Sequence, residues 1–194
     1  MRNDVVTVDL LRRPIDRDVV QIGPHRVTIA FTDDGCRLAP DYLVNLVRAY
    51  DGDVGPAFRG GCVELGDTRD FPFTIKADLE PQEFTGGNPG GFAHGCNLIM
   101  SRSVVELVGW FGTSLGPGHP IGAAKETDFV YRACRAGVPV LYDLSIVIFH
   151  YHERRDVTEV KQLQSIYSLG DAVLAWCQTL GCRFQNGSSR HGAT

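Results

Sequence analysis

Asp33 and Asp34 close an apolar run in the stretch IAFTDDGC and are followed by Gly35. Acids at a strand tip can hold a metal or a nucleotide, because hard cations take hard oxygen ligands. The same three residues also spell an ordinary turn with a helix cap, at equal weight on this stretch alone. Glu126 and Asp128 open a helical stretch straight after a glycine-rich loop, where acids also suit the positive end of a helix dipole. His150 and His152 end a second apolar run with one residue between them, so both point to one face of an extended chain. A lone histidine there is usually structural, whereas a pair beside acids is a metal candidate.

Short elements must carry these groups. VVTVDL (5–10) and VTIAFT (27–32) are β-rich and read as strands. Pro40 suits a first helical turn, and Leu43, Val44, Val47 and Tyr50 then recur at helical spacing until Asp51-Gly52. FRGGCVEL reads as a strand and FTGGNPGGF as a loop. A helix is expected from Ser103, which has capping-box spacing to Glu106. After the loop LGPGHPIGAA, residues 126–136 form a helix with Phe129, Val130, Ala133 and Cys134 inward and Gly137 as its stop. VPVLY and IVIFH follow as strands, then a long amphipathic helix over 157–180 ended by Gly181. Strands alternating with helices predict a three-layer α/β/α sandwich with a mainly parallel sheet. In such sheets ligands sit beyond the carboxyl ends of strands, where Asp33 and Asp34 and the two histidines fall.

Composition narrows the classes. The 194 residues suit one domain over 1–182, with 183–194 as a disordered tail. A net charge of −4 without a basic block argues against nucleic acid as a partner. Six cysteines without a CxxC pair read as free thiols rather than a zinc site or disulfide framework. No apolar run approaches the ~20 residues of a membrane helix, and the N-terminus lacks a signal-peptide core. The expectation is a cytoplasmic protein with no integral membrane segment.

The order of the pieces is more specific than any one of them. Strand–DD–helix is followed by GGFAHGCN, VGWFGTSLGPG, ETDFVYRACRAG and VLYDLSIVIFHYH. Over residues 27–152 this resembles the family 2 glycosyltransferases of the GT-A fold. The matches are Pro40-Asp41-Tyr42-Leu43, then Gly95-Cys96-Asn97, then Val108-Gly109 with Phe111. Glu126, Asp128 and Arg132, the stop at Gly137 and the strand-ending His150 complete them. The resemblance implies transfer of a sugar from a nucleoside diphosphate donor to an acceptor hydroxyl. It implies Asp33, Asp34, Gly95, Asn97 and Arg132 at the donor, and Mg²⁺ or Mn²⁺ on Asp34 and His150 to neutralise the leaving diphosphate. It also implies a general base at the start of the 126–136 helix, Glu126 with Asp128, for an inverting transfer.

Three departures temper it. Gly35 stands where the family's acid motif ends in a metal-ligating Asp, and Lys125-Glu126 stands where Glu-Asp is usual. Only 32 residues precede Asp33, fewer than the family's βα units around the nucleobase require, so a second copy or another protein is expected to complete that side. The alternative is a non-catalytic relative acting as a binding or assembly subunit. An unrelated hydrolase using Asp33, Asp34, His150 and His152 explains the glycine loops poorly.

Overall fold

A computed structural model describes residues 7–9, 19–21, 27–51 and 55–180. The proposed tail lies outside the described residues. Strands β1 (Thr7–Asp9), β2 (Val19–Gln21), β3 (Val27–Phe31) and β4 (Cys36–Leu38) precede helix α1 (Tyr42–Tyr50). Strands β5 (Phe58–Leu65), β6 (Gln82–Glu83) and β7 (Leu98–Ser101) follow, with a 3₁₀ turn at Gly95–Asn97. Helices α2 (Arg102–Val108) and α3 (Lys125–Arg135), strand β8 (Val140–His150) and helix α4 (Val157–Leu180) complete the chain.

The strands form one mixed sheet in the order β1-β2-β3-β7-β5-β8-β4, with β6 on β8. The mainly parallel sheet expected above is not what forms. Among the described strands only β5 and β8 pair in parallel, and the other pairs are antiparallel. The connection from β5 to β7 explains the reversal. It contains no helix to carry the chain back across the sheet, and without a crossover the next strand must run the other way. Only Thr32–Gly35 separate β3 from β4, although three strands lie between them in the sheet. Four residues can bridge that span only because the sheet curls.

Side chains alternate between two cores. Ile29, Phe31, Leu98, Met100, Phe58 and Val140 pack with Val104 and Val105 of α2 and with Phe129, Val130 and Ala133 of α3. Ala30, Ile99, Val63, Ile146 and Ile148 pack on the other face with Tyr42, Leu46 and Tyr50 of α1. Helices therefore cover both faces of a mixed α/β sheet. The buried face of α1 is rotated from the expected one: Tyr42, Leu46 and Tyr50 point inward, while Leu43 and Val44 are exposed. Helix α2 starts one residue before the expected Ser103, after Ser101, and no side chain caps its N-terminus. Helix α4 buries only Val160, Gly170 and Leu174, leaving Leu169, Trp176 and Leu180 exposed.

The two strands expected at VPVLY and IVIFH are one strand with a bulge. Gly61 pairs with Asp143 but Cys62 pairs with Val147, so Leu144, Ser145 and Ile146 are extra on β8. Such a bulge strands backbone carbonyls that the ladder would have satisfied. Asn97, fully buried, satisfies two of them: its Nδ2 donates to the Cys62 carbonyl at 2.8 Å and to that of Ile146 at 2.9 Å. Its Oδ1 accepts from the Tyr42 hydroxyl at 3.0 Å, which fixes the inward face of α1. Asn45 donates to the Ser145 carbonyl at 2.8 Å. Asn97→Ala orphans two buried carbonyls at ~1–3 kcal/mol each. Chemical denaturation should show a loss of that summed order, and an unchanged midpoint would mean that the bulge is held by other contacts.

Candidate functional site

Strand directions decide where the chemistry collects. β3 and β5 both run antiparallel to β7, and β8 runs parallel to β5. The carboxyl ends of β3, β5 and β8 therefore share one edge of the sheet with the start of β7. Asp33-Asp34 follow β3, Gly66–Asp70 follow β5, His150–Arg155 end and follow β8, and His94–Asn97 lead into β7.

Asp33 and Asp34 are exposed in a tight turn closed by the Cys36 N–H on the Asp33 carbonyl at 3.0 Å. The negative charge of Asp33 reaches His150, Cys36 and Cys96 and also Tyr167 of α4. Asp33 is thus the strand-end acid that faces the histidine expected to share a metal with Asp34. Gly35 has a structural reason. Its carbonyl accepts from the Tyr151 N–H at 2.8 Å, and a Cβ on it would stand 2.9 Å from the Tyr151 carbonyl oxygen. Close backbone approach fixes the glycine here, whatever the ligand chemistry beside it. Below the turn the Cys96 thiol hydrogen-bonds the Cys36 sulfur, which pulls the Cys36 thiol below its usual range and, with burial, holds Cys96 well above it.

The rings of His150 and His152 meet edge to face with centroids 5.1 Å apart, as their spacing in an extended chain requires. Burial, then the positive charge of a neighbour, keeps both below the ordinary histidine range, so both are neutral imidazoles at pH 7. His150 Nδ1 lies 3.4 Å from the Thr74 hydroxyl. Burial lowers His94 to about 4.

Glu126, in the first turn of α3, is drawn into the same place. A Cβ on Gly95 would come 2.5 Å from its Oε1, so the absent side chain at 95 gives this carboxylate its room. Lys125 Nζ sits 3.3 Å from Glu126 Oε1, with both side chains about a quarter exposed. The remaining sequence candidates serve the scaffold. Asp128 is buried and accepts from Arg132 Nε at 2.8 Å, while Arg132 also donates to the carbonyls of Val108 at 2.6 Å and Trp110 at 3.1 Å. That pair ties α3 to the end of α2. The side chain of Asn97 is spent on the bulge.

Sequence reasoning passed over Asp70, Phe73, Tyr167 and Arg154. The side chain of Asp70 is fully buried and accepts from Arg155 Nε at 2.8 Å and from the Glu153 N–H at 3.0 Å. Phe73 stacks on Tyr167 at 5.5 Å between centroids, and the Arg154 guanidinium lies 6.0 Å from the Phe73 ring centre. The run YHERR beside the two histidines was the available signal.

The expected Mg²⁺ or Mn²⁺ finds no ready ligand set, since no group of three or more His, Cys, Asp or Glu among the described residues is placed to hold a metal ion. No helix among them is long and apolar enough to cross a membrane. A cavity of about 540 Å³ opens at the opposite edge of the sheet, beside Ala57, Arg59, Val138 and Leu141. It lacks acids and histidines, so the chemistry points to the other edge. No family model matches the chain, and neither a curated protein nor a solved structure matches it significantly.

Restoring an acid at position 35 separates the two explanations of Gly35. Gly35→Asp should destabilise the fold by ~1–3 kcal/mol through overpacking and add no Mn²⁺ affinity in calorimetry. A gain of metal binding at unchanged melting temperature would show that the turn readily accepts the missing ligand.

Proposed function

We propose that this chain is a glycosyltransferase domain of the GT-A type that uses a nucleoside diphosphate sugar and inverts the transferred centre. The observation that carries the reading is the convergence of Asp33, His150 and the Gly95–Glu126 contact at the strand-end edge. Within it, the acceptor oxygen forms a bond to the anomeric carbon as the bond from that carbon to the diphosphate oxygen breaks. The breaking bond's electron pair leaves with the diphosphate, and the acceptor proton passes to the Glu126 carboxylate. Lys125 Nζ, 3.3 Å from Glu126 Oε1, is the ion-pair partner that this carboxylate has in place. Asp33 is suited to the donor's ribose, or would hold a divalent ion that would neutralise charge on the leaving diphosphate, and Asp34 and Gly95 flank the same space. Asp128 and Arg132 contribute by fixing the start of α3 rather than by touching the donor. The exposed Leu169, Trp176 and Leu180 on α4 support association with a second copy or another protein.

A non-catalytic binding subunit is the second reading. It is favoured by the commitment of Asn97, Asp128 and Arg132 to the scaffold.

Calorimetric titration with UDP and GDP, with and without Mn²⁺, tests the reading together with Glu126→Gln. The expected result is binding of one nucleotide by both proteins with similar affinity. Turnover of the matching nucleotide sugar should fall ~10²–10⁴-fold in the variant, the usual worth of a positioned base. Full turnover by the variant would remove Glu126 from the base role. Absence of nucleotide binding would favour the binding subunit.

A further inference from the structure

Thiols are the nucleophiles that the proposed transfer leaves unused. Cys36, Cys62, Cys96 and Cys134 all carry free thiols. Two of them turn to oxygen partners. Cys62 shares a hydrogen bond with the Tyr142 side chain, and Cys134 Sγ donates to the Phe84 carbonyl at 3.7 Å. Cys36 and Cys96 turn to each other.

Strand pairing brings them together from distant parts of the chain. Phe31 of β3 lies opposite Leu98 of β7 in an antiparallel pair. Two residues after the one and two before the other, Asp33 and Cys96 come alongside. The turn then doubles back, with the Cys36 N–H on the Asp33 carbonyl at 3.0 Å. Cys96 is 4% exposed in the core of Tyr42, Leu46 and Ile148, and the half-buried Cys36 packs on that same core. There the Cys96 thiol hydrogen-bonds the Cys36 sulfur. Both ends of the contact are anchored. Cys36 opens β4 opposite His150, and Cys96 stands between Gly95 and the buried amide of Asn97. The pair is therefore asymmetric: a small solute can reach Cys36, while Cys96 waits behind it. An accessible thiol backed by a second thiol is the arrangement of a redox-sensing pair.

We propose that Cys36 and Cys96 form a peroxide-sensitive dithiol that closes to a reversible disulfide across the strand-end edge. The Cys36 sulfur gives its proton to solvent and bonds to one oxygen of hydrogen peroxide. The O–O bond breaks, and its electron pair leaves with the other oxygen as hydroxide, which the proton converts to water. Cys36 is now a sulfenic acid. The Cys96 sulfur then bonds to the Cys36 sulfur as the S–O bond breaks, and the departing hydroxide takes the Cys96 proton. Two thiols have been oxidised and one peroxide reduced, and a thiol reductant reverses the change. The two sulfurs must close from hydrogen-bond contact to ~2.05 Å. That movement draws the turn of Asp33 and Asp34 toward the turn of Gly95–Asn97. The inference is independent of the donor reading, since it holds whatever ligand the edge takes.

Brief exposure of the full chain to hydrogen peroxide, followed by denaturing alkylation and mass spectrometry, tests the pair. Alkylatable thiols should fall from six to four, a peptide containing Cys36 should be linked to one containing Cys96, and dithiothreitol should restore all six. Cys96→Ser should leave Cys36 as a sulfenic acid that dimedone traps. Cys36→Ser, at the more exposed position, should keep all its remaining thiols through the same exposure. Backbone amide signals of Asp33–Cys36 and Gly95–Asn97 should move on oxidation and return on reduction. Full alkylation after exposure, or a bond joining either cysteine to a different one, would overturn the pair. A Cys36–Cys96 bond that leaves those amides unmoved would overturn its effect on the edge.

Discussion

Everything at the strand-end edge hangs on the bulge in β8. Without the three extra residues Leu144–Ile146, a register that pairs Gly61 with Asp143 would carry every later residue of the strand to a different partner. His150 and its neighbours would then face other groups. A bulge is tolerable only where its stranded carbonyls find donors. One amide, that of Asn97, serves both β5 and β8 and also receives the Tyr42 hydroxyl. The same residue thus ties together the parallel strand pair, the antiparallel strand that begins beside it and the helix over that face. A single buried polar hub of this kind is rigid because each partner has no alternative.

From that hub the edge takes its shape. With β8 in this register, Cys36 sits opposite His150, so the acid turn between β3 and β4 is drawn against the histidines. The same closeness forces glycine at 35, under the Tyr151 carbonyl, while Gly95 leaves room for the movable Glu126 carboxylate. What looks in the sequence like a weakened ligand motif is a packing requirement of the turn. The two histidines, Glu126 beside Lys125 and Arg154 over the Phe73 ring then share one region.

Much of this was legible beforehand, and the failures are instructive. β3, β5, α3 and α4 fall where hydrophobic runs and glycine stops put them, because those signals are local. Sheet direction was not legible, since it depends on whether the long segment between β5 and β7 crosses the sheet, which no short pattern records. The face of α1 was misjudged because Leu43 and Val44 are as apolar as Leu46, and only the Tyr42–Asn97 hydrogen bond selects among them. For the site, acids and histidines were visible by type. Their division into scaffold (Asn97, Asp128, Arg132) and open edge (Asp33, Glu126, His150) was not, because the same residue types serve either end. Arg154 escaped notice because its place over the Phe73 ring exists only once the chain is folded.

The proposed ligand chemistry belongs to the strand-end edge and not to the cavity at the opposite edge. Backbone amide NMR of the protein titrated with UDP tests this directly. Shifts should concentrate at Asp33–Cys36, His94–Asn97 and His150–Arg155. Shifts confined to Ala57–Arg59 and Val138–Leu141 would contradict it.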